Sequence, residues 1–302
     1  FAVHVVAPGL QAEPFVDHQR FFPELAVETL QRLRGQRALA VQQRLDALFE
    51  SLSYTAIDQA QPLPGEHAID VGCGCGATVL DLARRVGASG SVTGVDVSEQ
   101  MLARAAERVA AERLSQVELK LADAETHVFV PESADLVFSR LGAMFFSDPV
   151  TAFTNLRGAL KPSGRMVLAC PRAATENRYI TAAVQAVKPL LPTGSIPAAK
   201  PDEPGMFSLA DPDRVRRILG AAGFRDVTLL PRDESMNLAG PGGAADAAAF
   251  SLQFGPMTRV QQDSGPELQR AILDAVTEAY RQLEGPQGIV LAGAFWIIVA
   301  HP

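Results

Sequence analysis

From residue 67 to residue 170 short apolar runs alternate with longer segments whose apolar positions repeat at three and four. The runs His67–Val71, Ser91–Asp96, Val117–Leu121, Ala134–Ser139 and Arg165–Ala169 read as strands one to five. Helical periods fill Ala77–Val86, Glu99–Arg113 and Asp148–Leu160, with Ser98 and Asp148 placed as N-caps and Pro149 in a first turn. Strands alternating with helices at this spacing predict a parallel sheet. Further on, Asp211-Pro212 caps a helix that ends at Ala222-Gly223, and Asp226–Leu230 and Phe295–Ala300 read as strands six and seven. No crossover helix of the usual kind joins those two, which predicts an antiparallel edge hairpin. The expected fold is α/β: a doubly wound, Rossmann-like, seven-stranded and mostly parallel sheet.

Other segments fit around that sheet. Residues 1–23 show no clear period; a helical pattern begins at Glu24, breaks at Gly35, and then places Val41, Leu45, Leu48, Phe49 and Leu52 on one face. Arg172–Leu209 is proline-rich with a helical piece around Tyr179–Leu191. Gly240–Gly288 holds two or three helices, including Pro266–Leu283 with Leu268, Ile272, Leu273 and Val276 on one face. The expected division is a helical lead-in or lid over 1–60, a nucleotide-binding core over 61–171 and a cap insertion over 172–210. A core helix and strand six follow over 211–231, then a second helical cap over 232–290 and a last core strand over 291–302.

Composition narrows the partners. Of 302 residues, 27 are basic and 34 acidic, a net charge of −7 without blocks of like charge, which disfavours a nucleic-acid partner. The most apolar stretch, Ile289 to Ala300, is too short for a membrane span. No signal peptide is read, and three cysteines without zinc-ligand partners suit a reducing cytoplasm, the expected location. No metal site is expected.

The chemistry concentrates in Asp70-Val71-Gly72-Cys73-Gly74-Cys75-Gly76. A buried strand that breaks into three alternate glycines before a helix is a nucleotide-binding corner, since bare backbone lets a ligand approach. An acid two positions before the first glycine would repel a pyrophosphate but suits a cationic amino-acid tail. Asp96 ends strand two, 22 positions past Gly74, where a carboxylate can accept both hydroxyls of a ribose.

These residues resemble motif I of the class I S-adenosylmethionine-dependent methyltransferases, in particular the ubiquinone-biosynthesis-like, type 11 branch; residues 1–38 lie outside the resemblance. It implies that Gly72 and Gly74 pass under the methionine part of S-adenosylmethionine, with Cys73 and Gly76 also at the cofactor, Asp70 meeting the ammonium and Asp96 the ribose. Val97 and Met101 would sandwich the adenine, although Met101 also fits a helix core. Asp123 and Ala124 match the third motif, where the aspartate accepts from the adenine amino group. Ser139 and the segment Arg140-Leu141-Gly142-Ala143-Met144-Phe145-Phe146 follow strand four, where the family places residues beside the methyl donor. Arg140 is the candidate for orienting an acidic substrate, or else pairs with Asp135 or Asp148. Met144 and Phe145 would form apolar walls and Tyr179 would contact the acceptor.

The expected function is methyl transfer to a carbon or oxygen of a small, fairly apolar acceptor by in-line displacement. Two other readings fit less of the sequence. A binding module with a dead site keeps the fold without turnover. An NAD(P)-dependent oxidoreductase lacks an acid before its glycines, and none of Tyr54, Tyr179 and Tyr280 is followed four positions later by lysine.

Overall fold

The computed structural model describes residues 41–192, 194–196, 203–238 and 242–302. The helical period expected from Glu24 to Gly35 therefore lies outside the described residues. Residues 41–48 are helical and lead through Phe49 into α1 (Glu50–Ala60). The core then runs β1 (His67–Val71), α2 (Ala77–Val86), β2 (Ser91–Asp96), α3 (Glu99–Ala111), β3 (Val117–Leu121), β4 (Ala134–Arg140), α4 (Pro149–Ala159) and β5 (Leu160–Pro171). After α5 (Arg178–Val187) come α6 (Pro212–Ala221), β6 (Arg225–Asn237), α7 (Gly243–Ser251), α8 (Met257–Asp263), α9 (Pro266–Arg281) and β7 (Val290–His301).

The seven strands stand in the order β3-β2-β1-β4-β5-β7-β6. All pairs are parallel except those of β7, which runs antiparallel to both β5 and β6. The central strands β1, β4, β5 and β7 are largely buried on both faces, and alternate residues feed two cores. Ala68, Leu136, Phe138, Val167 and Phe295 join α1, α2 and the cap helices on one side. Ile69, Val71, Val137, Leu168 and Ile298 join α4 and α6 on the other. The chain reverses strand order between β1 and β4, so the carboxyl ends of those two strands flank the crevice where such sheets bind ligands.

The caps expected at Ser98, Asp148 and Asp211 all form. The Asp148 carboxylate accepts from Val150 and Thr151, and that of Asp211 from Asp213 and Arg214. Strands five, six and seven are longer than their apolar runs. β5 takes in Lys161-Pro162-Ser163-Gly164, and its register against β4 shifts between Ala134 and Leu136. β6 continues through the charged Arg232-Asp233-Glu234 to Asn237, paired to β7 from Phe295 back to Val290, so the second cap starts beyond Asn237 rather than at 232. No described helix is long and apolar enough to cross a membrane.

Candidate active site

The turn after β1 is built on positive φ at Gly72 (70°), Gly74 (54°) and Gly76 (84°). Gly72 is the tightest. A Cβ there would stand 2.8 Å from the Cα of Gly142, because the loop after β4 crosses directly over the turn. Leu141, just before Gly142, itself holds a left-handed φ of 62°, so both chains bend where they meet. At Gly74 the added atom would meet only the end of Met101, 2.8 Å away. Gly72 and Cys73 both donate to Val95 O, and Gly74 donates to Asp96 Oδ2 at 2.9 Å. Those bonds lock the turn to the end of β2.

Asp96 is thereby set beside the turn, as expected. Its other oxygen accepts Ser98 N at 2.8 Å. Burial pushes its pKa up, against the backbone N–H donors of Ser98, Gly74 and Val97. A half-buried carboxylate with both oxygens fixed by backbone retains lone pairs for two hydroxyls. Met101 covers Gly74 from the first turn of α3, and Val97 is exposed next to it. Asp123 is exposed and makes a local turn in which Oδ1 accepts Glu125 N, while Ala124 is buried.

Asp70 is fully enclosed at the end of β1. Thr78 Oγ1 in the first turn of α2 donates to its Oδ2 at 2.5 Å, and Oδ1 has no partner. Burial, the largest cause, raises its pKa to about 7, with Asp96 adding to the rise and Thr78 and Arg140 opposing it. Arg140 does not pair with Asp135 or Asp148. Asp135 is taken by Lys161 at 2.7 Å and by His67 N, and Asp148 caps α4. Arg140 Nη1 instead donates to Ser53 Oγ of α1 at 2.6 Å, and its guanidinium carbon lies 5.7 Å from the centre of the Phe49 ring.

Several of the other residues near the turn have partners within the fold. The Ser139 hydroxyl is committed twice, donating to Val71 O at 2.7 Å and accepting Ala143 N at 3.0 Å. Cys73 turns its sulfur down onto Gly94, and burial holds its thiol protonated. Tyr179 is buried edge-on to Phe49 with ring centres 6.2 Å apart, in the core under the cap. Met144 is buried and Phe145 exposed on the short helical turn after β4. His127 packs edge-on to Phe129.

Residues the sequence did not single out complete the site. Asp46 pairs with Arg108 at 3.0 Å, and Arg108 Nη1 donates to Cys75 O at 2.7 Å, which fastens the helix over 41–48 to the turn. Ser53 lies among Leu52, Ala56, Ile57 and Ala60 on the buried side of α1, and a hydroxyl on an apolar face was the available signal. Thr78 is buried next to two apolar neighbours for the same reason.

An open-backbone turn, an enclosed acid and a second acid at a strand end thus stand together at the carboxyl ends of β1 and β2. A methyltransferase domain model matches residues 68–164. Over 192 residues the chain is 30% identical to a nocamycin O-methyltransferase of Saccharothrix syringae, covering 61% of this chain and 68% of that one. It is 33% identical over 123 residues to the aklanonic acid methyltransferase DauC of Streptomyces sp. (strain C5), covering 41% of this chain and 56% of the relative. Two solved structures share the fold. The YcgJ protein of Bacillus subtilis superposes with a TM-score of 0.53 at 15% identity, covering 82% of this chain and 96% of its own. A putative methyltransferase of Bacillus halodurans C-125 gives 0.53 at 18%, covering 83% and 98%. The chain belongs to the class I S-adenosylmethionine-dependent methyltransferases. S-adenosylmethionine is its cofactor, and supplies a methyl group activated on a sulfonium.

Proposed function

We propose that this enzyme methylates an oxygen of a small, largely apolar and acidic acceptor. The observation that supports the donor half is the bond from Gly74 N to Asp96 Oδ2, which joins the open turn to the acid assigned here to the ribose. The acceptor half draws on relatives named for O-methylation and for an acid substrate. It also draws on what stands near the turn. The described histidines serve elsewhere: His67 bridges Ser133 O and Thr93 Oγ1, His127 packs on Phe129, and His301 ends β7 opposite Arg225. An acceptor that ionises by itself needs no protein base. The chain's part is then to position the two partners in line and to exclude water, with Met144 and the exposed Phe145 as apolar wall.

Fold alone does not decide the reaction, since a [4+2]-cyclase shares it with a TM-score of 0.50 at 19% identity. The test is calorimetric titration with S-adenosylhomocysteine, followed by mass spectrometry of phenols, quinols and small acids incubated with labelled donor. Asp96→Ala is expected to weaken S-adenosylhomocysteine by about 30-fold or more, the scale of a lost charged hydrogen-bond pair. No binding by the unaltered protein, or a methyl group found on carbon by NMR of the product, would overturn the proposal.

A further inference from the structure

Two groups beside the turn are incompletely partnered. Asp70 Oδ1 receives no hydrogen bond, and the buried Nε of Arg140 makes none. The two residues end neighbouring strands, β1 and β4, with Asp70 in register with Phe138. Their charges act on each other, yet among the described residues Arg140 makes no ion pair within 4 Å. A buried donor or acceptor left unpaired destabilises the fold. A core that needed only neutrality would close this acid and this cation on one another. Here Thr78 holds one and Ser53 holds the other, each on a short bond, and so keeps them apart.

The complement of a separated acid and cation is a zwitterion whose ammonium and carboxylate sit on one carbon. We infer that Arg140, held by Ser53, receives the carboxylate of the donor's amino-acid end, while the enclosed Asp70 draws the ammonium of the same end onto the turn. This assigns Arg140 to the donor rather than to the acceptor, and rests on the methyltransferase reading above. The planar guanidinium fork matches a carboxylate in a way a lysine ammonium does not. Arg140 is partly exposed, as contact requires, whereas Asp70 is closed off and acts through its field.

The test titrates the whole protein with S-adenosylhomocysteine and with S-adenosyl-3-thiopropylamine, the same molecule without its carboxylate. The unaltered protein is expected to prefer the first by about 30-fold. Arg140→Met is expected to lose that preference by weakening S-adenosylhomocysteine alone, with Arg140→Lys in between and Ser53→Ala reducing the preference several-fold. Equal affinity of the unaltered protein for both ligands overturns the assignment without any substitution. So does an Arg140→Met protein, folded by circular dichroism, that weakens both ligands alike. Failure of the unaltered protein to bind either ligand would instead overturn the methyltransferase reading itself.

Discussion

A carboxyl enclosed with one good hydrogen bond favours its neutral form, and Asp70, with a pKa raised to about 7, is such a group. Between the ordinary carboxylate value and 7 the folded chain binds a proton that the unfolded chain has released, so stability falls as pH rises through that window. Above 7 the destabilisation is complete. Asp70→Asn keeps an oxygen for Thr78 and removes the charge. It is expected to stabilise the ligand-free protein at pH 8 by about 2 kcal/mol, with the gap narrowing as the pH falls to 5, while donor binding weakens. Urea unfolding at both pH values checks this; an equal difference at the two would contradict it. The residue type and its place before the glycines were legible because an acid at a strand end is out of keeping with an apolar run. The partner of Arg140 was not. Asp135 and Asp148 are near in sequence, but Lys161 and the α4 cap claim them, and the bond to Ser53 spans 87 positions.

Backbone, more than side chains, defines the turn as an element. Gly72→Ala must push against Gly142 Cα at 2.8 Å, main chain that cannot swing aside, at a left-handed φ. Gly74→Ala carries the left-handed φ but meets only the flexible end of Met101. The first is expected to cost more than 3 kcal/mol and the second about 1–2, read as a difference in urea midpoints at constant slope. Equal losses would mean that the crossing of the two loops is not what constrains Gly72. Elements of this kind were legible wherever apolar period and cap agreed: β1, α2, β2 and β3 fall on the residues expected of them. The expected bounds failed where a strand runs out past the helices that bury it. Arg232, Asp233 and Glu234 lie on β6 because β7 supplies a pairing partner, and no local pattern announces that. Pro162 sits within β5 for the same reason, in the stretch where the ladder to β4 is irregular.

At the scale of the whole molecule the segment over 41–60 is where donor site and cap meet. Its first half is tied to the turn through Asp46, Arg108 and Cys75 O. Its end is latched to the sheet by Arg165, which donates to Ala60 O at 2.6 Å and Gln61 O at 2.8 Å and pairs with Glu66. Midway, Phe49 stands under Arg140 and edge-on to both Tyr179 of α5 and Phe295 of β7, with ring centres 6.2 and 6.4 Å away. Asn177, fully buried just before α5, fixes that end of the cap by accepting Ala294 N at 2.9 Å. A ligand that orders Arg140 therefore restrains Phe49, and through it a cap helix that never touches the turn. Binding energy spent on quieting local opening is visible as slowed amide exchange. Addition of S-adenosylhomocysteine is expected to slow exchange across 41–60 and α5, and to leave the outer pairing of β6 and β7 beyond Asp233 unchanged. Phe49→Ala, at about 3 kcal/mol in stability, is expected to keep the slowing over 41–60 and abolish it in α5. Exchange in α5 that still slows in that variant would mean the cap senses the donor by another route.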